Sequence, residues 1–230
     1  MAGADAPGDV AVTGNADEFV AKWQDCWPEW DVGVAFVPAA QRATVFAWFA
    51  LLQELTDAAW SGTDATPGLA KLAWWNEELL GWAKGARRHP LGEALQSRPV
   101  PWMALAAGLL PLQASRERPA ATPAQAGLNG IALAVAECEE SLFGAGGNPG
   151  AAAGVIAFDL LAARQLSQGE ADLALHPPAT TPGPDACTRP RRLQSAFIRE
   201  RLRRAERGQA LASSRWRSLL LAWRAARGAR

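Results

Sequence analysis

The sequence predicts an all-α protein built as a single helical bundle, and three observations carry that expectation. Ala occurs 50 times in 230 residues and Arg outnumbers Lys 20 to 3, so the chain is rich in strong helix formers. Helix-start signatures recur along it, as a capping residue followed by proline or by an acid three positions on. Period-two runs of β-branched residues, which would mark strands, are absent. Apolar residues make up 49% and charged residues 20%, which excludes a disordered or collagen-like chain. Six to eight helices are expected, without a fixed-period repeat.

Taken in order, residues 1–14 are small and polar and read as a flexible N-terminus. Asn15 followed by Glu18 resembles a capping box, opening a helix that runs to about Cys26 and stops before Pro28. A second helix follows Pro38 and runs to about Trp60. It is apolar almost all round, through Val45, Phe46, Trp48, Phe49, Leu51, Leu52 and Leu55, so it is expected to be central and buried. Thr66-Pro67 opens a third, with Leu72, Trp75, Leu79 and Trp82 at helical spacing and Gly85 as its stop. His89-Pro90 opens a short helix over 91–96, and residues 100–113 form another apolar helix. Thr122-Pro123 begins a helix to about Phe143, and Asn148-Pro149 one to about Gln168. Residues 176–190 read as a proline-rich linker. The helical domain thus spans 15–175, and 191–230 form basic amphipathic helices broken near Gly208.

The chain holds 23 basic and 23 acidic side chains, which taken alone argues against a nucleic-acid binder. The neutral total hides a split. Residues 1–186 carry 10 basic and 21 acidic side chains, and residues 187–230 carry 13 basic and 2 acidic. The expected placement of the basic segment is against the acidic body. The alternatives are an anionic membrane surface or a protein partner. Cys26, Cys138 and Cys187 are odd in number, far apart and without a CxxC pair, which fits a reducing cytoplasm. No signal-peptide pattern opens the chain, and the longest apolar stretch, about Trp102–Leu112, is too short to span a bilayer. The expected location is cytoplasmic, with a peripheral place at the inner face of a membrane as the other possibility.

His89 and His176 both precede proline and read as surface histidines at loop–helix junctions. The glycine cluster 144–150 lacks the strand and the Lys-Ser or Lys-Thr of a phosphate loop, and reads as one helix end and the next helix start. The carboxylates are more informative. Glu54 and Asp57 share a face of an otherwise apolar helix, and Glu137 and Glu140 have the same spacing on another, with Glu139 between. Buried acids are costly unless paired or bound to a cation, and acids on facing helices can hold Mg²⁺ against a diphosphate. Solvated helix-surface charge is the plainer reading of both pairs. The tryptophans Trp48, Trp60, Trp74, Trp75 and Trp82 either pack a core or line an apolar cavity.

The run Val37-Pro38-Ala39-Ala40-Gln41-Arg42, followed by Val45-Phe46-Ala47-Trp48-Phe49-Ala50, resembles the squalene/phytoene synthase family, as do Leu72-Ala73-Trp74-Trp75-Asn76-Glu77-Glu78-Leu79 and His89-Pro90-Leu91. The likeness is good over about sixty residues and looser to about residue 177. It implies the isoprenoid synthase fold, here C-terminally shortened. It also implies an apolar cavity between helices that carry two aspartate-rich Mg²⁺ motifs, where two prenyl diphosphates are joined head to head. Arg42, Phe46, Phe49, Trp60, Trp75 and Arg164 are then the candidate substrate- or cavity-lining residues. Asp57 and Glu54 are the remnant of the first motif, and Asp57, Glu137 and Glu140 the only candidate metal ligands.

The chain departs from the family at both motifs. The first reads Thr56-Asp57-Ala58-Ala59-Trp60, keeping one aspartate and placing a ring where a ligand is expected. The second reads Arg164-Gln165-Leu166-Ser167-Gln168, with no carboxylate and a cation in place. Three functions follow. One is a catalytically degenerate relative that binds an isoprenoid, another lipid or a protein partner, since relatives of this type include assembly factors for respiratory complexes. The second is an active, Mg²⁺-dependent prenyl transferase with rearranged ligands. The third is a helical interaction module with a membrane-binding basic tail. No cofactor is expected unless the second holds, and nucleic acid is not an expected partner.

Overall fold

The computed structural model describes residues 15–117, 122, 126–144, 147–168 and 186–227. Among these residues it is all-α, with ten α-helices and no strand. They are α1 (Ala16–Cys26), α2 (Trp30–Gly33), α3 (Arg42–Trp60), α4 (Thr66–Trp82), α5 (Gly92–Leu95), α6 (Trp102–Ala114), α7 (Asn129–Phe143), α8 (Pro149–Gln168), α9 (Arg189–Glu206) and α10 (Arg215–Arg227). Two 3₁₀ turns, Val34–Phe36 and Ala39–Gln41, lead from α2 into α3. The expected flexible segment 1–14, the proline of Thr122-Pro123, Gly169 and the linker segment 176–185, His176 included, lie outside the described residues.

Local chemistry sets most of the boundaries. The Asn15 side chain accepts from the Asp17 amide at 3.3 Å and caps α1. At α4 the cap is shifted from the expected one. Asp64 accepts from the Thr66 amide at 2.9 Å, and Thr66 is itself the first helical residue. Asn148 caps α8 through the Ala151 amide at 3.3 Å. Gly85 and Gly144, at φ +85° and +43°, stand where α4 and α7 stop, a backbone region that favours glycine. The one-turn α2 is an element the sequence pattern did not announce, and its Trp30 is wholly buried. The helix α9 begins at Arg189, inside the stretch read as linker, with the Thr188 hydroxyl accepting from the Arg191 amide at 3.4 Å.

The central helix is α3, whose Val45, Trp48, Leu51 and Leu55 are all but inaccessible to solvent. Around it pack α1, α4, α5, α6 and α8. α6 lies between α4 and α7, α7 pairs with α8, and α9 lies across α7 and α8. Leu193, Phe197 and Ile198 of α9 are buried, and the Phe197 ring meets Trp30 edge-on at 5.9 Å. α9 is therefore part of the core, and α10 rests on it and on α2.

The α3–α4 crossing is close because α4 carries a glycine, Gly68, in its first turn. A Cβ at Gly68 would lie 2.2 Å from the carbonyl oxygen of Ala58, a backbone atom that cannot step aside cheaply. Gly68→Ala is expected to lower stability by about 1–3 kcal/mol, read as a fall in Tm. At Gly130 on α7 a Cβ would meet nothing within 4 Å. Gly130→Ala is therefore expected to leave Tm unchanged or raise it.

Candidate functional site

α3 carries Glu54 and Asp57 one turn apart on the face toward α1 and α4. Glu54 is buried, and it is held from both sides. Lys22 of α1 reaches its Oε1 at 2.7 Å and Lys71 of α4 its Oε2 at 2.5 Å. Lys22 also bridges to Asp57 Oδ2 at 3.0 Å, while Gln53 donates to Asp57 Oδ1 at 2.6 Å. Burial alone would push the Glu54 carboxyl upward, but the two lysine ammonium groups outweigh it and hold the pKa below the ordinary glutamate value. Burial works against the charged form of Lys22, and its two carboxylate partners raise its pKa nonetheless. Glu54 and Asp57 are thus the anionic half of a four-residue ion-pair cluster. Both lysines lie outside the apolar pattern that defined the helices.

The facing helix is α8. Arg164 is buried there, where its Nε donates to Gln168 Oε1 at 3.2 Å and its Nη2 to the Arg116 carbonyl at 3.2 Å. Trp60 is buried and donates from Nε1 to Ser115 Oγ at 3.0 Å. Among the described residues, two small hollows border both α3 and α8. One, of about 120 Å³, is bordered by Asp57, Trp60 and Ser167. The other, of about 50 Å³, is bordered by Trp23, Phe49, Asp159 and Arg191. Both fall short of the roughly 300 Å³ at which pockets for drug-sized ligands begin.

The deepest polar cluster lies where α7, α8 and α9 meet. Arg191 of α9 is 3% exposed and makes a forked ion pair with Glu139 of α7, with Nε at 3.2 and 3.1 Å from its two oxygens and Nη2 closer still. Its Nη1 is 3.5 Å from Asp159 Oδ2 of α8. Trp48 of α3 donates to Glu139 Oε1 at 2.8 Å, and Ser195 donates to Asp159. Asp159 Oδ1 has no hydrogen-bond partner. Complete burial raises the Asp159 carboxyl to about 6 against the opposing pull of Arg191 and Ser195. The acid that enters the core from α7 is therefore Glu139, between the pair singled out by spacing. Glu137 and Glu140 are half-buried, and Glu140 accepts from the Gly147 amide at 3.3 Å. Among the described residues no three His, Cys, Asp or Glu side chains converge as a metal site would need, so Asp57, Glu137 and Glu140 are not brought together.

The other candidates scatter. Arg42 is exposed and donates to the Val37 carbonyl at 3.2 Å. Phe46 and Phe49 belong to an aromatic cluster with Trp23 and Trp30. Trp75 sits in a second cluster, its ring 4.5 Å from His89 and perpendicular to Trp82 at 6.3 Å. His89 corrects the reading as a surface histidine. It is buried, its Nδ1 accepts from the Leu91 amide at 3.2 Å, and burial lowers its pKa to about 4, so it is neutral. The segment 72–91 is pinned by Glu78, whose buried carboxylate accepts from Trp82 Nε1 at 2.7 Å and from the Arg88 and His89 amides at 2.6 and 2.8 Å.

No helix among the described residues is long and apolar enough to cross a membrane. The chain matches no family model, no curated protein and no solved structure in the three comparisons made.

Two outcomes follow from the α7–α8–α9 cluster. Arg191→Met leaves two buried carboxylates facing each other and is expected to cost about 3–5 kcal/mol in chemical denaturation, with partial recovery when Glu139→Gln and Asp159→Asn are added. The folded chain keeps the Asp159 proton up to about 6, while the unfolded chain releases it near 3.8. Stability therefore falls as pH rises between those values, and Asp159→Asn is expected to flatten that part of a Tm-against-pH curve.

Proposed function

We propose that the chain is a catalytically degenerate protein of squalene/phytoene synthase type, keeping a helical shell of isoprenoid synthase kind and acting by binding rather than by prenyl transfer. The observation that carries this reading is the lysine clamp on Glu54 and Asp57. A Mg²⁺ ion needs several oxygen ligands with their lone pairs available, and ammonium groups at 2.5–3.0 Å already take those oxygens and repel a dication. The second motif's position offers Arg164, a further cation. Without metal, the leaving diphosphate loses the charge stabilisation on which the reaction depends.

Space supports the same reading. Among the described residues, the hollows that border both α3 and α8 are of about 50 and 120 Å³, small beside a long prenyl chain and its diphosphate. The region is filled by Trp60, Phe49 and the side chains around Arg191. The protein then works through its surface, toward a lipid or a protein partner, from a cytoplasmic or membrane-peripheral location.

The test is incubation of the full chain with farnesyl or geranylgeranyl diphosphate and Mg²⁺. The expected result is no head-to-head product and no rise in Tm with diphosphate and metal together. Turnover, or saturable Mg²⁺-dependent stabilisation by farnesyl diphosphate, would return the chain to the active transferases.

A further inference from the structure

The helix α10 packs Leu221 against the core and also turns large apolar side chains to solvent. An amphipathic helix on a protein surface normally turns its large apolar side chains inward. In α10 the residues wholly buried against the body are the small Ser218 and Ala222, Leu219 and Leu221 are half-buried, and the outward face carries further large side chains. Trp216 is 82% exposed, Leu220 45% and Trp223 44%. At 3.6 residues per turn, positions 216, 220, 223 and 227 fall within an arc of about 60°, so these three and Arg227 form one stripe. Arg224 flanks it on one side and Arg215 on the other. From Arg207 to Arg227 the chain has five arginines and no acid.

The helix is nevertheless held in place. Arg217 pairs with Glu200 of α9, and Arg192 donates to the Ala225 carbonyl at 3.0 Å. The stripe is thus presented by a docked element. Beside it runs an open groove of about 370 Å³ between the 35–38 turn and α10. Phe36, Pro38 and Trp223 border it together with the guanidinium-bearing Arg189 and Arg227. Its lining pairs apolar surface with two cations, the chemistry of a phospholipid at the level of its headgroup.

We propose that the outer face of α10 and this groove form a docking surface for an anionic phospholipid bilayer. Tryptophan prefers the boundary between headgroup and acyl chain, and flanking arginines meet the lipid phosphates. A two-fold pairing of copies through the same stripe would set Arg224 and Arg227 against their own kind, so charge complementarity favours a lipid surface over self-association.

The test floats the full chain with vesicles of phosphatidylglycerol and phosphatidylcholine, and with phosphatidylcholine alone. Flotation is expected with the first and not the second. The Trp216→Ala/Trp223→Ala form is expected to lose it, and Arg224→Glu/Arg227→Glu to lose at least about tenfold in partitioning. All four side chains are exposed, so circular dichroism and Tm should be unchanged. Failure of the parent protein to float with anionic vesicles overturns the proposal. Equal flotation by all three forms does so too, as does a stripe-dependent dimer, or binding of single-stranded RNA, in place of vesicle binding. None of these readouts involves a prenyl diphosphate, so the outcome is separate from that of the proposed function.

Discussion

The guanidinium of Arg191 is the group on which the arrangement of α7, α8 and α9 depends. Glu139 and Asp159 point into the same interior from neighbouring helices. Two carboxylates there would repel each other and lose their hydration. Arg191 sits between them, forked onto Glu139 and 3.5 Å from Asp159. Its planar fork meets both oxygens of Glu139 with one rigid group, a geometry that a lysine ammonium on a flexible stem does not fix. The compensation is uneven. One cation faces two acids and Asp159 Oδ1 is left without a partner, while burial holds the pKa of that carboxyl up against the pull of Arg191 and Ser195. Because α9 supplies the cation, the C-terminal segment cannot be a loose appendage to the bundle. α10 follows by a second ion pair, from Arg217 to Glu200.

Ion pairs of the same kind account for part of the split in charge along the sequence. Part of the basic segment does meet the acidic body. Arg191 meets Glu139 and Asp159, and Arg201 meets Glu29 in a two-point ion pair while lying 3.9 Å over the Trp27 ring. Further on the pairing turns inward, since Arg203 and Arg217 both use Glu200 of the segment itself. Beyond that point no acid remains in the described chain. Neutrality of the whole is therefore local for α9 and absent for α10, where arginine and tryptophan share an exposed face.

Helices were legible because their signals are local. The Asn15 cap, the proline after Thr66, Gly85 and Gly144 act within one turn of where they stand. The buried face of α3 was legible because that helix is apolar nearly all round. The polar interior was not, for a geometric reason. Glu137, Cys138, Glu139 and Glu140 are consecutive, and spacing alone does not say which one faces in. Cys138 and Glu139 do, and the reason is an arginine 52 residues away. Lys22 was invisible in the same way, since its partner Glu54 is 32 residues on. His89 looked exposed because proline follows it, yet the aromatic rings of Phe19, Trp74 and Trp75 close over it.

The segment 72–91 has a structural duty of its own. Glu78 gathers an indole, two backbone amides and the Arg88 side chain onto one buried carboxylate. That fixes the turn from α4 into α5 and seats His89 among the rings. An unpaired amide buried at that turn would cost about 1–3 kcal/mol, so the requirement for an acid at 78 stands whatever the protein does. At 60 and 164 the buried side chains serve packing, while Asp57 is held by Lys22 and Gln53. Trp60 bonds to Ser115, and Arg164 ties α8 to the end of α6. The acid at 78 thus answers to the turn it holds, and the side chains at 60 and 164 answer to the packing of α3, α6 and α8.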